Sequence, residues 1–201
     1  MNEQRKLVVI LDPAHGSDVL GKRSPDGSHL EYKWSRKICS LLKDRLLEAG
    51  YRVEFTTTLD KEPGLTTRKR FAENLKTDKN QTKFLISLHN NGAGDGSKWL
   101  TARGFEIYTY LRASTSAKFA KTIMEQLIRD FPDLKYRIPS PNIFNKEANF
   151  TVLSGSGYFA VLLEWLFQDN KEDVELLKNP EMNEKLADSL VEAIETINNN
   201  L

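Results

Sequence analysis

The sequence predicts a single α/β domain, in which a mostly parallel, mixed sheet of about six strands is flanked by helices on both faces. Short unbroken aliphatic runs, such as residues 7–11, are typical of strands that are buried on both faces. Segments with the apolar spacing of helices lie between these runs, so that strands and helices alternate. The 201 residues suffice for one such domain, and no linker or repeat divides them.

The first half of the chain supplies three of the strands. The first strand, residues 7–11, ends at Asp12-Pro13, because proline has no N–H to donate and holds the preceding residue extended. A loop over residues 16–28 leads to a helix over residues 31–48, which Gly50 ends. Residues 51–55 predict a strand, residues 65–75 a helix, and residues 84–88 a strand that ends at His89.

The second half continues the alternation. We expect a strand over residues 104–110, a helix over 114–130, a short strand over 151–153 and a buried strand over 159–163 that ends at Glu164. Residues 131–149 hold three prolines and show no periodicity, which indicates irregular surface near the site. A last helix is expected over residues 180–197, with Asn198, Asn199 and Asn200 fraying from its end.

Composition excludes several kinds of partner and site. The formal net charge is +1, so no overall positive field points to nucleic acid or to an anionic membrane. The apolar run at residues 7–11 is too short for a signal peptide or a membrane span, so we expect a protein that is made in the cytoplasm without a signal peptide. We also expect a monomer. Cys39 is the single cysteine and is expected to pack in the core, so any metal must use His, Asp or Glu.

Two histidines occupy matching places in the predicted sheet. His15 follows the first strand and His89 follows the third, and parallel neighbours bring such strand ends to the same edge. With Glu31 at the start of the first helix, two imidazoles and a carboxylate could converge. That is the ligand set of a catalytic zinc, although copper and nickel also accept imidazole. The residues alone leave open the alternative that both histidines are strand-end residues bonded to nearby carbonyls.

Glu164 repeats the pattern at the end of a third aliphatic run. It could be an ordinary strand-end carboxylate. It could also be the general base for a zinc-activated water, since zinc lowers the pKa of that water toward about 7. Asp12 could help to orient His15 or could shape the turn.

One motif is a false lead. Residues 16–22 fit the first seven places of the phosphate-binding G-x-x-x-x-G-K-[ST] loop. Arg23 stands where a hydroxyl is needed, and Pro25 and Gly27 break the helix that should face the phosphate. We therefore do not expect nucleotide binding.

Taken together, these residues resemble the zinc-dependent N-acetylmuramoyl-L-alanine amidases known as amidase type 3. The similarity covers nearly the whole chain. The matching segments are Asp12-Pro13-Ala14-His15-Gly16, Glu31, Gly50-Tyr51-Arg52-Val53, the set Leu65, Arg68, Ala72 and Asn74, then Ser87-Leu88-His89-Asn90-Asn91, and the run from Glu164 to Asn170. The departures are Ala14, Ser17 and Leu166, where the family often has glycine.

The resemblance implies that His15, Glu31 and His89 bind Zn²⁺ and that Glu164 is the catalytic carboxylate, with His29 a bystander. It also implies cleavage of peptidoglycan between the lactyl group of N-acetylmuramic acid and L-alanine. In acting on the cell wall without a signal peptide, the chain resembles a phage or prophage lysin or a trimmed form of an exported enzyme. Arg68, Asn74 and Asn91 are interpreted as mainly structural. The alternatives are a zinc peptidase that cuts within the stem peptide and a non-catalytic wall-binding domain.

Overall fold

The computed structural model describes residues 6–201, and its strands form one six-stranded sheet. The strands are β1 (Leu7–Pro13), β2 (Arg52–Phe55), β3 (Thr82–Asn91), β4 (Phe105–Thr109), β5 (Lys146–Glu147) and β6 (Phe159–Phe167). Their order is β2-β1-β3-β6-β4-β5. All neighbouring pairs are parallel except β4 with β6, which is antiparallel. The predicted mixed sheet is confirmed.

Five α-helices lie in residues 6–201. They are α1 (Glu31–Glu48), α2 (Leu65–Asn74), α3 (Ser114–Asp130), α4 (Lys171–Lys178) and α5 (Pro180–Asn199). No helix in this part of the chain is both long and apolar enough to cross a bilayer.

The sheet is buried on both faces, as the aliphatic runs predict. On one face Leu7, Val9 and Leu11 join a core with apolar residues of α1, α3 and α5. On the other face Ile10 and Leu85 pack with Ala72 of α2 and with residues 152 and 153. Successive strand residues point to opposite faces, so each central strand contributes to both cores. Cys39 is fully buried in the larger core, as expected.

The end of α1 follows the local prediction. Gly50 has a φ of 83°, which a residue with a Cβ adopts only at a cost. Its N–H donates to the carbonyl of Leu47, and the N–H of Tyr51 donates to that of Leu46. This pair of bonds satisfies two carbonyls that the helix leaves free, and it turns the chain toward β2.

Three predictions about the second half are wrong, and one helix was not predicted. Residues 131–149 are not wholly irregular, because β5 lies within them and pairs with β4. Thr151–Leu153 is a 3-10 turn rather than a strand. The helix α4 was not expected, because it is short and mostly charged. The side chain of Asn170 caps it by accepting a hydrogen bond from the N–H of Asp173. Finally, β6 continues to Phe167, so Glu164 lies inside this strand.

The expected fraying of the last helix is also wrong. Asn198 lies within α5 and is buried. Its side-chain oxygen accepts from the N–H of Lys6 at 2.9 Å and from that of Leu7 at 3.1 Å. The end of α5 is therefore tied to the start of β1.

Candidate metal centre

Three side chains from separate elements meet at one edge of the sheet. His15 follows β1, Glu31 is the first residue of α1, and His89 lies near the end of β3. Oε1 of Glu31 is 3.3 Å from Nε2 of His15 and 3.0 Å from Nδ1 of His89. The two imidazole rings are perpendicular, with centroids 4.9 Å apart. One ligand atom from each residue lies within 4.8 Å of the other two, as expected for residues that could hold one metal ion.

The spacing of these atoms suits zinc. Bonds of 2.0–2.1 Å at tetrahedral angles place neighbouring ligand atoms about 3.3 Å apart. The two distances from Oε1 of Glu31 are close to this value. Two imidazoles and one carboxylate also form a common ligand set of catalytic zinc, which leaves a fourth position open. The donor set therefore fits the metal that the sequence predicts.

Electrostatics hold Glu31 ionised in a buried place. Only 1% of its surface is exposed. Burial alone would raise the pKa of Glu31, but hydrogen bonds with His15 and His89 hold that pKa well below its usual range. Burial alone would lower the pKa of His89. The hydrogen bond with Glu31 and its negative charge outweigh burial, so the pKa of His89 is raised. The site thus carries a buried negative charge that a cation would compensate.

His15 has an unusual backbone conformation, with a φ of 49°. Its carbonyl accepts from Nη2 of Arg36 at 2.9 Å and from Nη2 of Arg68 at 3.2 Å. A non-glycine residue in this region costs on the order of 1 kcal/mol or more and needs support from its surroundings. The two guanidinium groups provide that support, and they fix the turn that aims the imidazole at Glu31.

Asp12 belongs to the same turn, and its hydrogen bonds go to residues other than His15. Its carboxylate accepts hydrogen bonds from Thr56, from Nη1 of Arg68 at 2.9 Å and from the hydroxyl of Ser87 at 2.6 Å. Arg68 in turn contacts the carbonyls of Pro13 and His15. Of the two roles weighed for Asp12, these contacts favour shaping the turn.

Glu164 pairs in register with His89 on the adjacent strand. Its Oε2 atom is buried and has no hydrogen-bond partner in residues 6–201. Burial raises the pKa of Glu164 to about 7, and the negative charge of Glu31 adds to this effect. A carboxyl group with this pKa can accept or release a proton near neutral pH.

A second carboxylate, Glu106, lies opposite Glu164 in the antiparallel pair of β4 and β6. Its oxygens contact Nζ of Lys146 at 2.8 Å, the hydroxyl of Tyr108 at 2.6 Å and the side chain of Arg137. Although burial opposes it, these contacts keep the pKa of Glu106 below its usual range. Of the two neighbouring carboxylates, Glu106 is fixed as an anion and Glu164 is left to exchange protons.

The remaining predicted residues lie outside the metal-ligand group. Nε2 of His29 contacts Oδ1 of Asn90 at 2.8 Å, and burial lowers the pKa of His29. Residues 16–22 form a loop, and the first helix begins only at Glu31, so this loop lacks the helix of a phosphate-binding motif. Gly16 instead packs so closely on the backbone of residues 61 and 62 that no Cβ would fit.

Sequence reasoning missed two residues that contact Glu31. The backbone N–H of Asn90 donates to Oε1 at 3.1 Å, and Nε2 of Gln168 donates to Oε2 at 2.9 Å. Both residues lie within segments that resemble the family, but nothing in those segments indicates which groups would reach Glu31.

The four predicted site residues line one cavity of about 510 Å³ at the carboxyl ends of β1 and β3. Its wall also includes residues that precede β6, among them Asn149 and Phe150. The cavity is large enough for part of a chain substrate, and the predicted metal ligands lie in its wall beside Glu164.

The chain is similar in sequence and in fold to known proteins. The sequence is 29% identical over 197 residues to an endolysin of Bacillus phage SPP1, and it spans 66% of that protein's length. The structure is similar to an N-acetylmuramoyl-L-alanine amidase from Clostridium difficile 630, with a TM-score of 0.82, 24% identity, and coverage of 96% of this chain and 97% of that one. It is also similar to the amidase Ami1 from Mycobacterium smegmatis, with a TM-score of 0.80, 22% identity, and coverage of 98% and 99%.

A family model also matches most of the chain. The model of the family Amidase_3, described as N-acetylmuramoyl-L-alanine amidase, matches residues 9–196. This range includes all six strands except the first two residues of β1, and it contains His15, Glu31, His89 and Glu164. The chain therefore belongs to the Amidase_3 family of N-acetylmuramoyl-L-alanine amidases.

Proposed function

We propose that this protein is a zinc-dependent amidohydrolase of peptidoglycan. It cleaves the amide between the lactyl group of N-acetylmuramic acid and the L-alanine of the stem peptide. The observation that carries the proposal is the meeting of His15, Glu31 and His89 in a cavity that also contains Glu164, in a chain of the Amidase_3 family. The substrate is inferred from the family, and the chemistry is inferred from the geometry of the site.

His15, Glu31 and His89 are the proposed ligands of the metal. Two neutral imidazoles and one carboxylate would leave a single positive charge on a bound zinc ion. Zinc bound there supplies a Lewis acid that polarises a carbonyl oxygen and lowers the pKa of a coordinated water to about 7. Arg36 and Arg68 hold the turn that carries His15, so the ligand is in place before the metal arrives.

Glu164 is the proposed general base and acid. It takes a proton from the water that attacks the lactyl carbonyl, and it returns that proton to the alanine nitrogen as the C–N bond breaks. The products are a lactyl carboxylate and a peptide with a free amino group. A pKa of about 7 suits both transfers, because the same group must accept the proton and then release it.

The similarity to a phage endolysin suggests where the protein acts. We propose that it is made in the cytoplasm and reaches the cell wall as a lysin does. Its partner is peptidoglycan, and we propose that it acts as a monomer and has no nucleic-acid partner.

Digestion of purified peptidoglycan, followed by mass analysis of the soluble products, tests the proposal. We expect intact stem peptides that begin with a free L-alanine, and glycan strands that keep the lactyl group as a carboxylate. Stem peptides cut internally would identify a peptidase instead. Binding to the wall without any release of products, in a protein that contains zinc, would identify a non-catalytic wall-binding domain.

A further inference from the structure

The two oxygens of Glu31 have different surroundings. Oε1 faces the two histidines and accepts from the N–H of Asn90. Oε2 accepts from Nε2 of Gln168 at 2.9 Å. One oxygen is therefore directed at the candidate metal position, and the other is held by an amide side chain.

The orientation of the Gln168 amide follows from its partners. Its nitrogen is 2.9 Å from Oε2 of Glu31 and 3.4 Å from the carbonyl oxygen of Asn90. Both partners are acceptors, so the NH₂ group and not the carbonyl oxygen must face them. The amide oxygen, Oε1 of Gln168, is buried and has no hydrogen-bond partner in residues 6–201. The side chain of Gln168 therefore makes a hydrogen bond to Glu31 through its nitrogen and none through its oxygen in the described residues.

An irregularity in the sheet brings Gln168 to this position. The pairing of β3 with β6 shifts between His89 and Asn91, so that Asn91 lies opposite Phe167. Leu166 lies within this shift, with a φ of 62° and a fully buried side chain. The N–H of Gln168 then donates to the carbonyl of Asn91 at 2.8 Å. The bulge fixes the backbone of Gln168 beside the strand that carries His89.

We propose that Gln168 is a positioning residue that makes Glu31 bind the metal through Oε1 alone. This inference rests on the proposed function, because it concerns the same zinc site. A carboxylate can bind a cation through one or both oxygens. With Oε2 held by Gln168, Glu31 occupies one coordination position, and the site keeps a position open for water. Without that amide, Oε2 is free to turn to the metal and to raise the coordination number from four to five.

Cobalt(II) in place of zinc tests the inference, because the visible absorption of four-coordinate cobalt is much stronger than that of five-coordinate cobalt. Two variants remove the donor in different ways. Gln168→Leu replaces the amide by an apolar side chain of similar size, and Gln168→Asn keeps an amide but withdraws it by one methylene group. Gln126→Leu is the matched control, because Gln126 is also buried and its amide donates to two carboxylates, Asp130 and Glu192, away from the cavity.

We expect both Gln168 variants to lose cobalt absorption at visible wavelengths, whereas the control keeps it. We also expect their zinc dissociation constants, measured by competition with a chelator, to rise about 10-fold to 100-fold, which is typical when a residue that orients a metal ligand is removed. A change in absorption in either folded variant supports the inference. An absorption spectrum and a zinc affinity like those of the wild type, in whichever of the two variants folds, would overturn it while leaving the proposed function intact. A wild-type protein that binds neither metal would overturn both.

Discussion

Replacing Arg68 by Met should destabilise the fold much more than the loss of an ordinary surface arginine. The guanidinium group of Arg68 is almost completely buried, and it binds Asp12, which is buried as well. It also makes two hydrogen bonds to Glu62 and contacts the carbonyls of Pro13 and His15. Methionine fills a similar volume but leaves the carboxylate of Asp12 without its counter-ion.

The size of the effect follows from these surroundings. Removing one partner of a buried ion pair costs about 3–5 kcal/mol, because the other charge stays buried. Asp12 keeps the hydroxyls of Thr56 and Ser87 as donors, and the side chain of Glu62 is 21% exposed and can hydrate. We therefore expect the lower end, about 3 kcal/mol. For a chain of this length that loss lowers the melting temperature by about 6–12 °C.

Urea and thermal unfolding of the metal-free protein measure this loss, and Arg45→Met is the matched control. Arg45 pairs with Glu184 and Asp188, whose side chains are 49% and 60% exposed, so this variant should lose at most about 1 kcal/mol. Adding Asp12→Asn to Arg68→Met should recover part of the loss, because it removes the unpaired charge. If Arg68→Met unfolds at the same urea concentration as Arg45→Met, the reasoning about the buried pair is wrong.

Four further predictions concern the site. Purified protein should contain about one zinc per chain, as measured by elemental analysis. In the same measurement His15→Ala and His89→Ala should have lost the zinc, whereas His29→Ala should keep it. Glu164→Gln should keep zinc but lose about 10²-fold to 10⁴-fold of its activity on peptidoglycan, and a loss of threefold or less would show that it is not the base. Excess chelator should lower the melting temperature without abolishing the helical circular dichroism at 25 °C. Zinc at 1,000 times its dissociation constant adds only about 4 kcal/mol to the free energy of unfolding, and a domain of this size has its own core. In metal-free protein, the contribution of Glu164 to stability should fall as pH rises from about 4.5 to 7, because over this range its carboxyl group ionises in the unfolded chain but stays protonated in the fold. Glu164→Gln should therefore melt higher than wild type at pH 8 but not at pH 4. Equal melting temperatures at pH 8 would contradict the raised pKa of Glu164.

The parts of the fold that the sequence predicts are those whose signals are local. The long helices α1 and α3 have the predicted bounds, because a periodic apolar face runs along each of them. The central strands β1, β3 and β6 lie where the sequence predicts them, because burial on both faces demands continuous aliphatic residues. Each runs past its predicted end, because the polar residues Asp12, His89 and Glu164 continue the strand pairing. In contrast, β5 has two residues and forms only because β4 lies beside it. No local pattern can indicate a strand of that kind.

The site shows the same division. His15 and His89 could be paired in advance, because their place at the ends of parallel strands depends only on the order of the elements. The contact of Glu31 with Gln168 could not be predicted, because it depends on a bulge at Leu166. The sequence marked this position only as a place where leucine replaces glycine. The positive φ at Leu166 is a backbone conformation that glycine adopts more easily than leucine.

The bond between Asn198 and the start of β1 has a consequence for engineering. It holds the first described residues against the last helix, at the edge of the sheet where β1 begins. The candidate site lies where β1 ends, about 20 Å away for a seven-residue strand. A short linker between Lys6 and the end of α5 could therefore allow the chain to be reopened at a surface loop, and a binding module joined at either of these positions would lie away from the cavity.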